Sequence, residues 1–418
     1  MANSILPVQI YQNFNNLVDN VVGKSTASAV DLSQVITVGQ ASQMYGYETT
    51  LNQLSVAMGR VLIAVRPYNS RFGLIEATPE EYGQLQRKIS YYSGKFEKAE
   101  DWNDTNVLAN LTLKDGASID HYKIEKRYPL EIWFGGNKVI QKHYTRFRKQ
   151  LKVAFSNAED FTRFYQGEAV QINNEIQMMK EVENRALVCN FMAGLYYHAG
   201  TLSNYPKGMA RNMTKEFNDK FGTEYTTDEL LSTHLPEFTK FFASVLKYQS
   251  DMMAQATVLY HVTPTNRKDD ANNSLTLWRH TPKADQRLML ASNVLYDMET
   301  MVYPEIFHDG YLKLNQYEAV PYWIDPSNPL SLNKIQVVNT LNISNGLSQD
   351  TKVTLTNPRF IGFMFDRWAL ATSYRQDDVI TTPVNGAGDY YNTFYHWAKD
   401  YHNDFTENAV VFYMQDPA

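Results

Sequence analysis

The spacing of apolar positions changes along this chain, and the changes mark its elements. Between Asn157 and Tyr197, Phe161, Phe164, Tyr165, Ala169, Ile172, Ile176, Met179, Ala186, Leu187 and Phe191 recur mostly at three- and four-residue steps, the period of one helix face. Ser156-Asn157-Ala158-Glu159 reads as a capping box, with Glu159 and Asp160 where the helix dipole favours negative charge. Unbroken, this helix spans ~60 Å. Gly167 is a candidate bend, and Gly200 and Pro206 end it. A second helical pattern covers 237–260, and 282–303 combines a strand with a helix.

Elsewhere the pattern is β-like or polar. In residues 119–147, two β-like runs flank Gly135-Gly136-Asn137 and predict a hairpin. Residues 61–70 predict a strand stopped by Pro67 and Asn69, and 311–326 a strand pair closing on Pro321 and Pro326. Residues 350–374 are β-rich and 408–414 form a last strand. Residues 1–45 form a polar arm, 50–62 a brief helix, and 71–122 a mixed-charge excursion whose good helix start is 77–89. No internal repeat occurs. The fold class is α+β, one long helix lying against strands from both ends of the sequence.

Composition narrows the function. At 418 residues, 44% hydrophobic and 20% charged, the chain is long enough for two or three units with cores and is not disordered. A net charge of −6 argues against a dedicated nucleic-acid binder. The single cysteine, Cys189, forms no internal disulfide and reads as a small buried hydrophobe. The N-terminus lacks a signal-peptide pattern and no run is long and apolar enough for a membrane span, so a reducing cytoplasm is the expected place of synthesis. The 28 Tyr and 21 Phe suit extensive protein–protein contact or carbohydrate binding.

Catalytic and cofactor patterns fail one by one. Gly23-Lys24-Ser25 resembles the end of a phosphate-binding loop, but Val18 stands where a glycine is required. Gly386-Ala387-Gly388 is a lone pair without the helix a dinucleotide site needs. His396 and His402 are ~20 Å apart on a strand and point different ways on a helix, so no metal is expected with Asp400. The aromatic residues at 390, 391, 394, 395, 397 and 401 suit a half-buried strand packed on a helix. The Asn-x-Ser/Thr sequons, among them those at Asn103, Asn110, Asn212 and Asn342, are no more than an Asn-rich chain supplies. No cofactor is expected.

One charge feature stands out. Residues 121–152 carry nine Lys or Arg against Glu125 and Glu131, a net of +7. The patch suits nucleic acid or, as the favoured reading, docking on an acidic neighbour. Acidic segments at 76–104 and 366–404 are the candidate partners, and Arg146, Arg148, Lys149 and Lys152 the candidate inter-subunit contacts.

The order of elements resembles the major capsid protein of tailed bacteriophages, the Hong Kong 97-like fold. QLKVAFSNAEDFTRFYQGEAVQINNEI (150–176) carries the resemblance at the long helix, and NPRFIGFMFDRWALATSY (357–374) with YYNTFYHWAKDYHNDFTENAVVFYM (390–414) at the other end. The C-terminal block is most similar to head proteins of small short-tailed phages of Gram-positive bacteria. The resemblance implies an N-terminal arm (1–48), an extended loop and hairpin (60–150), a peripheral domain with a spine helix (151–205 and 351–405) and an axial domain (206–350 and 406–418). It implies hexameric and pentameric capsomers closing into a head around double-stranded DNA, with no catalysis. A separate scaffolding protein and a portal are the implied partners, with decoration proteins as further candidates and no membrane. Another virion part such as a tail component, or a carbohydrate-binding or hydrolytic protein, is the alternative.

Overall fold

The computed structural model describes residues 66–77, 85–93, 122, 126–135, 138–147, 158–265, 268, 274–302, 317–332, 340–344, 346–349, 355 and 358–416. The arm, the brief helix at 50–62, residues 61–65 and the capping residues Ser156 and Asn157 lie outside these. In chain order the strands are β1 (Leu85–Tyr91), β2 (Pro129–Gly135), β3 (Lys138–Phe147), β4 (Ala210–Asn212), β5 (Gln286–Ala291), β6 (Tyr317–Val320), β7 (Thr340–Leu341), β8 (Ser348–Gln349), β9 (Arg359–Asp366), β10 (Leu370–Thr381), β11 (Tyr390–Asn403) and β12 (Ala409–Met414). The α-helices are α1 (Ala158–Tyr196), α2 (Met213–Phe221), α3 (Thr227–Leu230), α4 (Leu235–Ala254) and α5 (Ser292–Val302).

Helix α1 is the 39-residue element that the three- and four-residue spacing predicts. It passes Gly167 without a break and hands over to a π-helical turn, Tyr197–Thr201. In its first half Ile172 is buried while Ala169, expected on the same face, is exposed; between Glu181 and Leu195 every residue is buried. A helix that changes from partly exposed to fully enclosed must enter the core at its C-terminal half.

There it meets the five-stranded sheet β4-β12-β9-β5-β6. Seven of the eight residues of β9 are buried, the continuous apolar run of a strand covered on both faces. Phe363 points to α1, 6.3 Å from the Phe191 ring. Phe412 of β12, opposite Gly362, projects from the other face and meets Phe242 of α4 at 5.5 Å. A side chain at Gly362 would overlap the Met289 carbonyl oxygen of the neighbouring strand, so the strands approach as closely as they do only because glycine stands there. Trp323 closes the β6 side, its indole N–H donating to Phe360 O at 2.8 Å.

The second sheet, β10-β11-β3, lies along α1. The strand of 14 residues at Tyr390–Asn403 is the half-buried strand that its aromatic spacing predicts. Several expectations meet a different arrangement. The helix start at 77–89 gives way to β1 at Leu85–Tyr91, which pairs antiparallel with β2. Alternating exposure, with Arg87, Ile89 and Tyr91 out and Ser90 in, is the signature of a strand, and the polar residues imitate a helix only in composition. The predicted hairpin around Gly135 does not pair with itself: β2 joins β1, while β3 joins β11 over ten residues. A longer partner offers more ladder hydrogen bonds than the adjacent strand does. Of the predicted pair at 311–326, the described part holds one strand, β6, which runs parallel to β5. Residues 66–70 contain no strand.

His198 sits in the π-helical turn, fully enclosed between the Tyr205 ring, stacked at 4.6 Å, and the Phe405 ring at 4.8 Å. Neither ring nitrogen has a hydrogen-bond partner. Burial pushes its imidazole from 6.5 down to about 3. Because the folded value is lowered, the stability this residue contributes is complete above pH 6.5 and drains as pH falls toward 3. Between pH 6.5 and 4 the loss is about 3 kcal/mol. Urea midpoints across that window should therefore fall in the native chain and fall less in His198→Phe, which keeps the stack and cannot charge. Gly362→Ala should lower the midpoint at neutral pH by about 3 kcal/mol or prevent folding, because the strand backbone has nowhere to move.

Candidate subunit interface

The three-stranded sheet has its polarity reversed. On β3, Lys142, Tyr144 and Arg146 point toward α1, while Val139, His143 and Phe147 point away. The inward groups find carboxylates on the helix. Arg146 Nε lies 3.2 Å from Glu168 Oε1, and Glu175 takes both the Lys142 ammonium and the Tyr144 hydroxyl. Lys399 of β11 reaches Glu183 at 2.6 Å. Burial, reinforced by the Glu175 charge, raises the Tyr144 phenol far above its ordinary value, so it remains a donor. Arg146 is only 9% exposed. An ion pair removed from water to that extent makes each member depend on the other.

The outward face of β3 carries no charge, with Gln141, His143 and Thr145 standing between Val139 and Phe147. Val139 is 57% exposed, with Phe147 and Ile380 also open to solvent. His143 stacks on Phe394 at 5.2 Å, and Phe147 leans on Tyr390 at 5.5 Å. The two-stranded sheet β1–β2 has a second face with exposed apolar side chains. Ile89, Tyr91 and Trp133 are exposed, Tyr91 at 63%, and the charges among them, Arg87 and Glu131, pair with each other at 2.7 Å. Single exposed apolar residues are ordinary, whereas here several stand on each of two sheets.

The β1–β2 sheet is held from its other side. Lys88 sits between Asp404, 2.5 Å away, and Glu407. Arg279 approaches Glu407 at 3.3 Å and donates to Ser90 Oγ at 2.9 Å. Burial alone would lower Lys88, but the two carboxylates hold it above the usual lysine value. Burial raises Glu407, whereas Lys88 and the Thr406 donors keep Asp404 below the ordinary carboxylate range despite its enclosure.

Of the residues expected to touch a neighbour, Arg146 thus meets its own chain's long helix, and Arg148, Lys149 and Lys152 lie outside the described residues. The helix carboxylates Glu168 and Glu175, rather than the acidic segments 76–104 or 366–404, receive the described cations of β3. Sequence reasoning counted the positive charges without asking which face they share. Lys142 and Arg146 stand four apart, as do Val139, His143 and Phe147, and on a strand both sets are one-sided. His396, Asp400 and His402 are spread along β11 opposite Gln141, Ser373 and Ala371. Among the described residues, no group of three or more His, Cys, Asp or Glu is arranged to hold a metal ion. A cleft of about 660 Å³ beside α2 contains Arg211 and Lys207. Arg211 is engaged by Glu216 and Gln249, and Lys207 by the Ala199 and Leu202 carbonyls. No helix among the described residues is long and apolar enough to cross a membrane.

No protein-family model matches the chain, and no curated protein does. Solved structures do. A chain of the capsid structure of Staphylococcus phage Andhra aligns with a TM-score of 0.52 at 12% identity, covering 86% of this chain and 88% of that one. A chain from the structure of the head fiber and inner core protein gp22 of native bacteriophage P68 gives 0.49 at 11% identity, covering 86% and 88%. The capsid structure of the Cyanophage P-SCSP1u gives 0.45 at 12%, covering 86% and 92%. At such identity the likeness is one of fold alone: this α+β chain shares its fold with a chain of the Andhra capsid structure.

Proposed function

We propose that this chain is the major capsid protein of a tailed phage, a structural rather than catalytic protein. It assembles in the host cytoplasm into hexamers and pentamers that close into a head around double-stranded DNA, with a separate scaffolding protein and a portal as partners. The observation that carries this reading is the reversed polarity of the sheets. One chain presents two faces with exposed aromatic and aliphatic side chains and few charges: the outer side of β3–β11–β10, with Arg375 and Asp400 toward one end, and the outer side of β1–β2, where Arg87 and Glu131 pair with each other. Two different patches that fit each other make a head-to-tail contact, and such a contact generates a ring when its rotation closes. In this reading, β1–β2 of one copy covers the three-stranded sheet of the next, as the extended loop (60–150) of one subunit laid over the peripheral domain (151–205 and 351–405) of its neighbour. The axial domain (206–350 and 406–418) occupies the capsomer centre. Arg148, Lys149 and Lys152, which follow β3 in the sequence, are proposed to bind an acidic segment of the neighbour.

Electron microscopy and sedimentation of the chain produced with its scaffold test this. Ile89→Asp with Trp133→Glu should leave a folded 48 kDa subunit that forms no rings or shells. Normal shells from that variant would refute the head-to-tail contact. Arg148→Glu with Lys149→Glu should fold and fail to close shells, closure being weakened by salt in the native protein as well. If these shells form but retain less nucleic acid, the patch faces the DNA instead.

Arg146→Glu should behave differently. It sets a second carboxylate against Glu168 and should cost about 3–5 kcal/mol of subunit stability. The charge-swapped Arg146→Glu, Glu168→Arg pair should regain most of it, as read by urea midpoints.

A further inference from the structure

The stretch Asn403–Asn408 joins β11 to β12, and its two sides hold two distant parts of the chain. On one side, Asp404 and Glu407 grip Lys88 of β1, and Thr406 O accepts from Arg279 Nε at 3.0 Å. On the other side, the Phe405 ring stacks on Phe191 of α1 at 4.9 Å and meets His198 edge-on at 4.8 Å. Gly194 lies between them, where a Cβ would come within 2.6 Å of the Phe405 ring. The corner leaves no slack. Residues Asp404 to Asn408 are all buried. Asp404 Oδ1 accepts from both Thr406 N at 2.8 Å and Thr406 Oγ1 at 2.7 Å, closing the turn on itself. Asp404 N donates to Ala369 O at 2.7 Å, and Val262 N to Phe405 O at 2.7 Å.

The two parts so joined are the β1–β2 sheet and the last turns of α1. Sheet β1–β2 shares no strand with either larger sheet; it is held by Lys88, by Arg279–Ser90, by the short bridge from Ser93 to Thr276, and by the packing of Tyr92 and Leu130 on Leu277 and of Phe134 on His402. Helix α1 ends in a π-helical turn, where the hydrogen-bond register is loosest and helices most readily change it. We propose that the 403–408 corner is a mechanical link that couples the position of the β1–β2 sheet to the last turns of α1. Pulling Lys88 outward draws Asp404 and Glu407 with it. Because the turn is closed, Phe405 follows, and the helix end loses the ring that fills the space at Gly194. This inference concerns a single chain and does not depend on shell assembly.

Hydrogen exchange of the full-length chain, read by mass spectrometry, tests it. Lys88→Met keeps the stem and removes the charge; exchange of the Leu187–His198 amides should rise about tenfold, within the range of coupling between linked sites. Exchange in β5 should stay at the native rate. Lys88→Arg should leave the helix end protected. Arg87→Met, altered on the opposite face of the same strand, should do so too. Coupling is reciprocal, so Phe405→Leu should speed exchange of the Arg87–Tyr91 amides by a similar factor, and this variant carries the test if Lys88→Met does not fold. Two results would overturn the link. One is a helix end, or in Phe405→Leu a β1 strand, that exchanges at the native rate. The other is a rise in β5 as large as that in the linked segment, which would mean general destabilisation.

Discussion

The carboxylates along α1 constrain everything around them. Glu168, Glu175 and Glu183 lie on the side of the helix that the three-stranded sheet covers, and each is met there by a cation. A carboxylate enclosed without a partner costs several kcal/mol, so strands can lie on this helix only in a register that supplies one. The spacings agree. Lys142 and Arg146 are ~13 Å apart along a strand, and Glu168 and Glu175 ~10.5 Å apart along a helix, a difference that two flexible side chains absorb. The ion pairs therefore decide which strand lies on the helix as well as how it is held.

From that choice the outer surface follows. Once the charged positions of β3 are turned inward, alternation forces Val139, His143 and Phe147 outward, and an uncharged face results. A monomer gains nothing from such an arrangement, since it exposes apolar area while burying charge. A protein that ends up covered by copies of itself gains twice: the outer face becomes dry on assembly, and the inner pairs fix the one strand register that presents it.

The deeper half of the molecule works by ordinary packing. Strand β9 is covered on both faces by α1 and α4, and aromatic contacts such as Phe191–Phe363 and Phe242–Phe412 cross the layers. The C-terminal half of α1 belongs to this core and the N-terminal half to the charged sheet, so one rigid helix spans two environments. The corner at 403–408 lies near the passage from one to the other, where a buried charge cluster and an aromatic cluster share five residues.

Local sequence determined much of this. The 39-residue helix, the strands at 359–366 and 409–414, the strand–helix at 286–302 and the aromatic strand at 390–403 were all legible, because period and length reflect which face each element buries. So was the capsid-like order of elements. Pairing was not. The turn at Gly135–Asn137 looks like a hairpin, yet β2 and β3 part into different sheets, because β2 is taken by β1 upstream and β3 by β11, more than two hundred residues downstream. The basic run announced a docking surface, but only the folded chain turned Lys142 and Arg146 onto their own helix and left the apolar side of the strand facing out. Sequence fixes the residues that share a face; tertiary structure decides which way the face turns, because that depends on long-range partners able to neutralise its charge.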